Sequence, residues 1–232
     1  MSRTSHALAA LAALALTLTG CTSTADDKTL PADLPAAQTL LADGAKAMAE
    51  VKSAHFVIDV NGKISGLTLK RAEGDLTQAG SAQGTASIEQ FGTAIEAQFV
   101  IVGTDLWLKA ATGGFQKLPL AAAATVYDPS AILDPNRGVA KLLTSIKTAT
   151  TKAKETVDGK ETYKIQVEPD PVVLAALIPG VGAGVTGDIW LDATSKQLVK
   201  GVFTIPAKGS DPAGTVTVTF TKYNDPVTIS AP

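Results

Sequence analysis

The sequence predicts an α+β domain, an antiparallel sheet of roughly nine or ten strands with short helices on one face. Three observations carry this. Apolar and polar residues alternate with a period of two through most of the chain, stretches with helical spacing are few and short, and no long linker divides the strands into two groups. A hydrophobic content of 45% against 18% charged residues describes a chain able to bury a core.

At the N-terminus, Arg3 and His6 precede a run of Ala, Leu and Thr from Ala7 to Leu18. That run is shorter than the roughly 20 apolar residues needed to cross a bilayer, but it suits an export signal. It ends in Leu18-Thr19-Gly20-Cys21, and Cys21 is the single cysteine of the 232 residues. The tetrapeptide resembles the bacterial lipobox, which implies cleavage before Cys21, a diacylglycerol on its sulfur and an acyl group on the new amine. The expected organisation is a lipoprotein signal peptide over 1–20, a lipidated Cys21 with a flexible tether over 21–35, and one domain over 36–232, held by lipid on the outer face of the plasma membrane. With its only thiol consumed by lipid, the fold must be stable through its core alone.

Leu40, Leu41, Ala45, Met48 and Val51 recur at helical spacing, and Pro35 suits a first turn, so a helix is expected over 36–52. The period then becomes two. Strands are expected in "AHFVIDVNG", "ISGLTLKRAEGDLT", "GTASIEQF", "TAIEAQFVIVG", "DLWLKA" and "GFQKLPL". Asp128-Pro129 and Asp134-Pro135 introduce a helix near 138–147, where Val139, Leu142, Leu143 and Ile146 form a stripe. Asp158-Gly159 centres a hairpin of the type I′ kind. Asp170-Pro171 opens a short helix, "VVLAALI", and then come "GDIWLDA", "QLVKGVFTIP", "GTVTVTFTKYN" and an edge candidate, "VTISAP". A sheet this wide spans some 40 to 50 Å, more than three short helices of about 10 to 12 Å diameter easily cover. It curls round the helices as a filled core, which the pattern alone favours, or it curls and leaves a space.

Composition excludes several functions. A formal charge of −2 with no run of Lys or Arg excludes nucleic acid as a partner. After His6 leaves with the signal, His55 is the one histidine; it opens a strand, no G-x-S-x-G accompanies it, and a histidine at a sheet edge describes it better than a catalytic base. One histidine and a lipidated cysteine leave no metal set, and no cofactor is expected. "GVGAGVTG" follows a helix and leads into a strand, the reverse of a nucleotide fingerprint. It reads instead as a flexible connection; the functional alternative is that, with the helix at 172–178, it forms a mobile flap over the apolar face. Asp75, Asp105 and Asp188 fall at strand ends or turns and pair with nothing as acid and base. No enzyme is expected.

"SAHFVIDVNGKISGLTLKRAEGDLT", "VYDPSAILDPNRGVAKLL", "VDGKETYKI", "DIWLD" and "TKYNDPV" occur in order along the chain, behind the lipobox. This ordered set resembles the LppX/LprA/LprF/LprG family of mycobacterial lipoproteins, its LprG branch above all. The resemblance implies a strongly curved half-barrel sheet with helices in its concavity, enclosing an apolar cavity for acyl chains. It further implies cargo such as triacylated glycolipids or triacylglycerol, carriage from the plasma membrane to the outer envelope, and work beside a membrane efflux transporter. Combined with strand alternation, it makes Phe56, Ile58, Val60, Leu67, Leu69, Ala86, Ile88, Ile95, Ala97, Phe99, Ile101, Val216, Val218 and Phe220 candidate lining residues, joined by Val139, Leu142, Leu143 and Ile146 from the helix.

Overall fold

The structure, a computed structural model, describes residues 34–64, 67–90, 92–123, 131–178, 181–207, 209 and 212–232. The signal peptide, Cys21, most of the tether, Asp128-Pro129 and residues 179–180 of the glycine-rich run lie outside the described residues.

Among the described residues, eleven strands form one open antiparallel sheet, rather than nine or ten. They are β1 (Ser53–Asn61), β2 (Leu69–Thr77), β3 (Ala82–Gln90), β4 (Thr93–Val102), β5 (Asp105–Ala110), β6 (Gln116–Pro119), β7 (Thr148–Val157), β8 (Lys160–Glu168), β9 (Thr186–Asp192), β10 (Leu198–Ile205) and β11 (Gly214–Thr221). The spatial order is β6-β5-β4-β3-β2-β1-β11-β10-β9-β8-β7. The first six strands meander to one edge, and the last five meander back from the other, so that β11 pairs with β1 at the centre. Phe56 lies opposite Phe220, and Ile58 opposite Val218. No strand forms at "VTISAP"; the tail is instead held by Asn224, whose N–H donates to the Ser53 carbonyl at 2.9 Å and whose side-chain oxygen accepts from the Lys52 N–H at 2.8 Å.

The edge strands β6 and β7 are consecutive in the chain, so the connection over 120–147 must pass from one side of the sheet to the other. It carries α2 (Leu120–Ala123), a single turn, and α3 (Val139–Ser145). With α1 (Ala37–Ala49) before the sheet and α4 (Pro171–Leu177) between β8 and β9, α3 packs on the inner face. Leu40, Leu41 and Met48 of α1, Val139, Leu142 and Leu143 of α3, and Leu174 of α4 share one core with Phe56, Ile58, Val216 and Phe220 of the central strands. Each such side chain contributes about 1.5–3 kcal/mol on burial.

Local chemistry sets these elements. Asp170 caps α4, accepting from the N–H of Val172 at 2.9 Å and of Val173 at 3.3 Å, with Pro171 at the first helical position. Pro35 falls one residue before the α1 cap, Ala36, and so lies outside the first turn where it was expected. Asp134 organises the turn before α3 rather than the helix itself, whose cap is Gly138. Asp158 and Gly159 both have positive φ, 49° and 79°, and Val157 pairs with Lys160, as a two-residue I′ hairpin requires.

The sheet's curl has an identifiable corner. Gly74 pairs with Gly84, and a Cβ on either would stand 2.0 Å from a backbone oxygen of the neighbouring strand. Only glycine permits this approach. The same row continues to Phe56 on β1 and Phe99 on β4, whose rings lie on the inner face where the glycines leave room. Register shifts between Leu69 and Arg71, between Thr151 and Ala153, and between Leu198 and Lys200 add further twist. Gly74→Ala is therefore expected to cost about 3 kcal/mol or to prevent folding. Gly114→Ala, whose added Cβ meets nothing within 4 Å, is expected to stay within about 0.5 kcal/mol of the parent in urea unfolding.

Candidate functional site: the apolar concavity

Among the described residues, two apolar cavities lie between the inner face of the sheet and the helices. The larger, about 50 Å³, is lined by Ile132, by Val139, Leu142, Leu143 and Ile146 around α3, by Leu174, Leu177 and Ile178 around α4, and by Ile189, Leu198, Gly201, Phe203, Val218 and Phe220 from β9, β10 and β11. The smaller, about 10 Å³, is lined by Ile58, Val60, Leu67, Leu69, Ile178, Val216 and Val218. Ile178 and Val218 belong to both, so these two side chains separate them.

No lining residue of either cavity carries a charge or a side-chain hydrogen-bonding group. Such a space can select only by shape and apolar burial, which is non-directional and favours hydrocarbon. Its floor depends on two glycines. Phe203 lies across Gly187 and Gly201, where added Cβ atoms would stand 2.7 and 3.0 Å from its ring. Its roof depends on α3, which is positioned by the Asp134 turn: Gly138 N–H donates to the Asp134 carbonyl at 2.7 Å and Val139 N–H to the Ile132 carbonyl at 2.9 Å. The Asp134 carboxylate is held below its ordinary pKa, first by the Arg137 guanidinium at 2.8 Å and then by the backbone N–H groups of Asn136 and Arg137.

The predicted lining residues are distributed over several surroundings. Val139, Leu142, Leu143, Ile146, Val218 and Phe220 surround the larger cavity, while Ile58, Val60, Leu67, Leu69, Val216 and Val218 surround the smaller. Phe56, Phe99 and Ile101 are buried in the core and border neither, and Ile88 is half-buried against it. Ile95 does not belong with them: it is 36% exposed, in the first half of β4, where Thr93, Ala94 and Glu96 are exposed as well. Ala86 is half-buried against the core, in one cross-strand row with Ile58, Ala72 and Ala97, and borders neither cavity; it and Ala97 also border a groove of about 390 Å³ with Arg71, Glu73, Glu96 and Lys109 among its walls. The α4, β9 and β10 contributors were not singled out from the sequence. "VVLAALI" is apolar on every side, and Ile189, Trp190 and Leu191 are buried in succession, so alternation could not assign their faces.

Polar side chains lie outside this space. His55 occupies the outer face of the central strand β1, not a sheet edge, with Nδ1 2.8 Å from Asp75 Oδ1. The Tyr223 hydroxyl donates to the Leu198 carbonyl, and burial pushes its pKa well above the ordinary phenol value. Trp190 is buried on the outer face, its indole N–H donating to Glu155 and its ring covered by the ammonium groups of Lys164 and Lys200 at 5.1 and 5.3 Å. Among the described residues no cluster of three or more His, Cys, Asp or Glu could hold a metal ion. None of the helices formed by these residues is long and apolar enough to cross a membrane.

Comparison with known proteins agrees with this architecture. In solved structures, LprF from Mycobacterium bovis superposes with a TM-score of 0.72 at 26% identity, over 84% of this chain and 96% of that one. LppX from Mycobacterium tuberculosis, at 19% identity, shares the fold with a TM-score of 0.64 over 84% and 98% of the two chains. The chain is 33% identical over 237 residues to the lipoarabinomannan carrier protein LprG of Mycolicibacterium hassiacum, spanning 100% of this chain and 98% of that one. It is 31% identical to the protein of the same name in Mycolicibacterium smegmatis, over 97% and 94%. A family model described as LppX_LprAFG lipoprotein matches residues 36–229. With the open antiparallel half-barrel and its helix-filled concavity, these matches establish that the chain belongs to the LppX_LprAFG lipoprotein family.

Proposed function

We propose that this protein is a lipid-anchored carrier which holds the acyl chains of triacylated glycolipids or triacylglycerol between its sheet and helices, and moves them from the plasma membrane to the outer envelope. The observation that carries this is the wholly apolar lining beneath α3 and α4. The carrier name borne by LprG relatives supports it from a separate direction. Lipidation at Cys21 holds the protein on the outer face of the plasma membrane, where such cargo originates.

Volume imposes a condition. An apolar cavity of about 150 Å³ accommodates benzene, so compartments of about 50 and 10 Å³ each hold less than that. Loading of these two compartments therefore requires α3 or α4 to move from the sheet and the partition at Ile178 and Val218 to open. α4 is seven residues long, and its single fully buried apolar anchor is Leu174, so it is the cheaper of the two to displace. Catalysis has no part in this cycle: extraction and release exchange one apolar environment for another.

Two measurements test the proposal. Every described element lies between Ala37 and Thr221, so a chain starting at Thr22 retains all of this packing. Produced in an envelope-lipid-rich actinobacterial host, purified without detergent and extracted with solvent, it should yield acylated lipid near equimolar to protein. Folded protein free of acylated species would sink the carrier function and leave a non-carrier adaptor role. Val218→Trp should fill the partition and lower recovered lipid several-fold at a stability cost of about 1–3 kcal/mol, whereas Val218→Ala should retain loading. Equal loading in all three would remove these cavities from the binding site.

A further inference from the structure

α4 has an outer face as well as an inner one. Leu174, Leu177 and Ile178 line the cavity, while Val172 and Ala176, one helical turn apart, point away. Val172 is 78% exposed, the most exposed large apolar residue of the described chain. From Pro171 to Gly187 the sequence contains no charged residue. A seven-residue helix held by one cap does not need a bare valine outside for its own stability.

The position of α4 indicates what covers it. The chain ahead of the described residues joins the fold at one corner, where the Thr151 hydroxyl donates to the Pro35 carbonyl at 2.8 Å and the Gln38 amide donates to the Lys147 carbonyl at 3.1 Å. Thr148, next to Lys147, pairs with Glu168, and Asp170, two residues further, caps α4. The start of α4 thus sits at the corner from which the chain runs back to Cys21. Residues 22–33 span at most about 40 Å even when fully extended. A membrane holding Cys21 is within reach of this corner.

We infer that the outer face of α4, centred on Val172, is a docking surface for a lipid bilayer, seated in the interfacial layer while the inner face of the same helix remains over the cavity. The inference rests on the carrier function proposed above. At this corner the exposed Lys147 and Glu168 are of opposite sign, and the Asp170 carboxylate is engaged by the α4 backbone. Apolar insertion rather than attraction to anionic headgroups therefore governs the contact. A helix with hydrocarbon outside and the cargo space inside needs only a small displacement to connect the two.

The test uses the chain from Thr22, which contains no cysteine, so that Val172→Cys supplies its only thiol. The thiol is labelled with nitrobenzoxadiazole and titrated with vesicles of phosphatidylcholine and phosphatidylglycerol that contain a lipid with a shallow nitroxide. Emission should rise on vesicle addition and be quenched by the nitroxide lipid, whereas a label at Thr204→Cys, exposed on the opposite face of the sheet, should not respond. In the unlabelled chain, Val172→Asp should reduce vesicle co-sedimentation about tenfold, the loss expected for one buried valine. A silent label at position 172, or equal responses at both positions, would overturn the inference. Solvent extraction of the same preparations separates the two claims. Lipid recovered with a silent label removes the docking surface and leaves the carrier, whereas a clear response at position 172 without recovered lipid removes the carrier and leaves a membrane-docking protein.

Discussion

The architecture depends on one topological constraint: strands that are consecutive in the chain form the two opposite edges of the sheet. β6 and β7 are separated by the other nine strands, about 50 Å of sheet if it were flat. The segment that joins them has to cross a face, and the apolar face is where α3 finds burial for Val139, Leu142 and Leu143. Curling shortens that crossing and wraps the sheet round the helix. The Gly74–Gly84 corner, the three register shifts and the Phe203 ring resting on Gly187 and Gly201 all serve the same curvature.

The crossing also produces the site. A helix laid across a concave sheet fills its middle and leaves residual space at its flanks, and both cavities occur there, divided by Ile178 and Val218. α1 is fixed firmly, with Gly44 set closely against Leu191 and the Lys196 carbonyl. α4 rests on a cap and one buried leucine. The concavity therefore combines a rigid wall with a lightly held one, an arrangement suited to cargo of variable length and to local opening at modest cost.

Much of this was legible in the sequence where alternation is uninterrupted. "HFVIDV" gives one buried and one half-exposed face, "TVTVTFT" does the same except at Val218, which is half-buried beside the cavities, and Asp158-Gly159 specifies its turn by backbone conformation alone. Legibility failed where a second physical effect overrode the pattern. The alternation at Ile95 is sound, but the first four residues of β4 are all exposed, so the apolar face there meets solvent. In β9, Trp190 is buried on the outer face beneath two lysines and a glutamate, which erases the contrast between faces. In β10 a bulge changes the phase after Leu198. The pairing of β1 with β11 has no local signal, since it joins the two ends of the domain. Wrapping of helices by the sheet was legible through the family resemblance and the width of the sheet together, not through either pattern alone.

The central claim is that hydrocarbon occupies the space between α3, α4 and the central strands. Methyl-labelled protein loaded with acylated lipid gives the most direct measurement, through nuclear Overhauser contacts between acyl methylenes and the methyl groups of Ile, Leu and Val. The account predicts contacts to Leu142, Leu174, Ile178 and Val218, with none to Val202 on the outer face. Contacts confined to the outer face, or to none of these methyl groups in a protein that carries lipid, would contradict it.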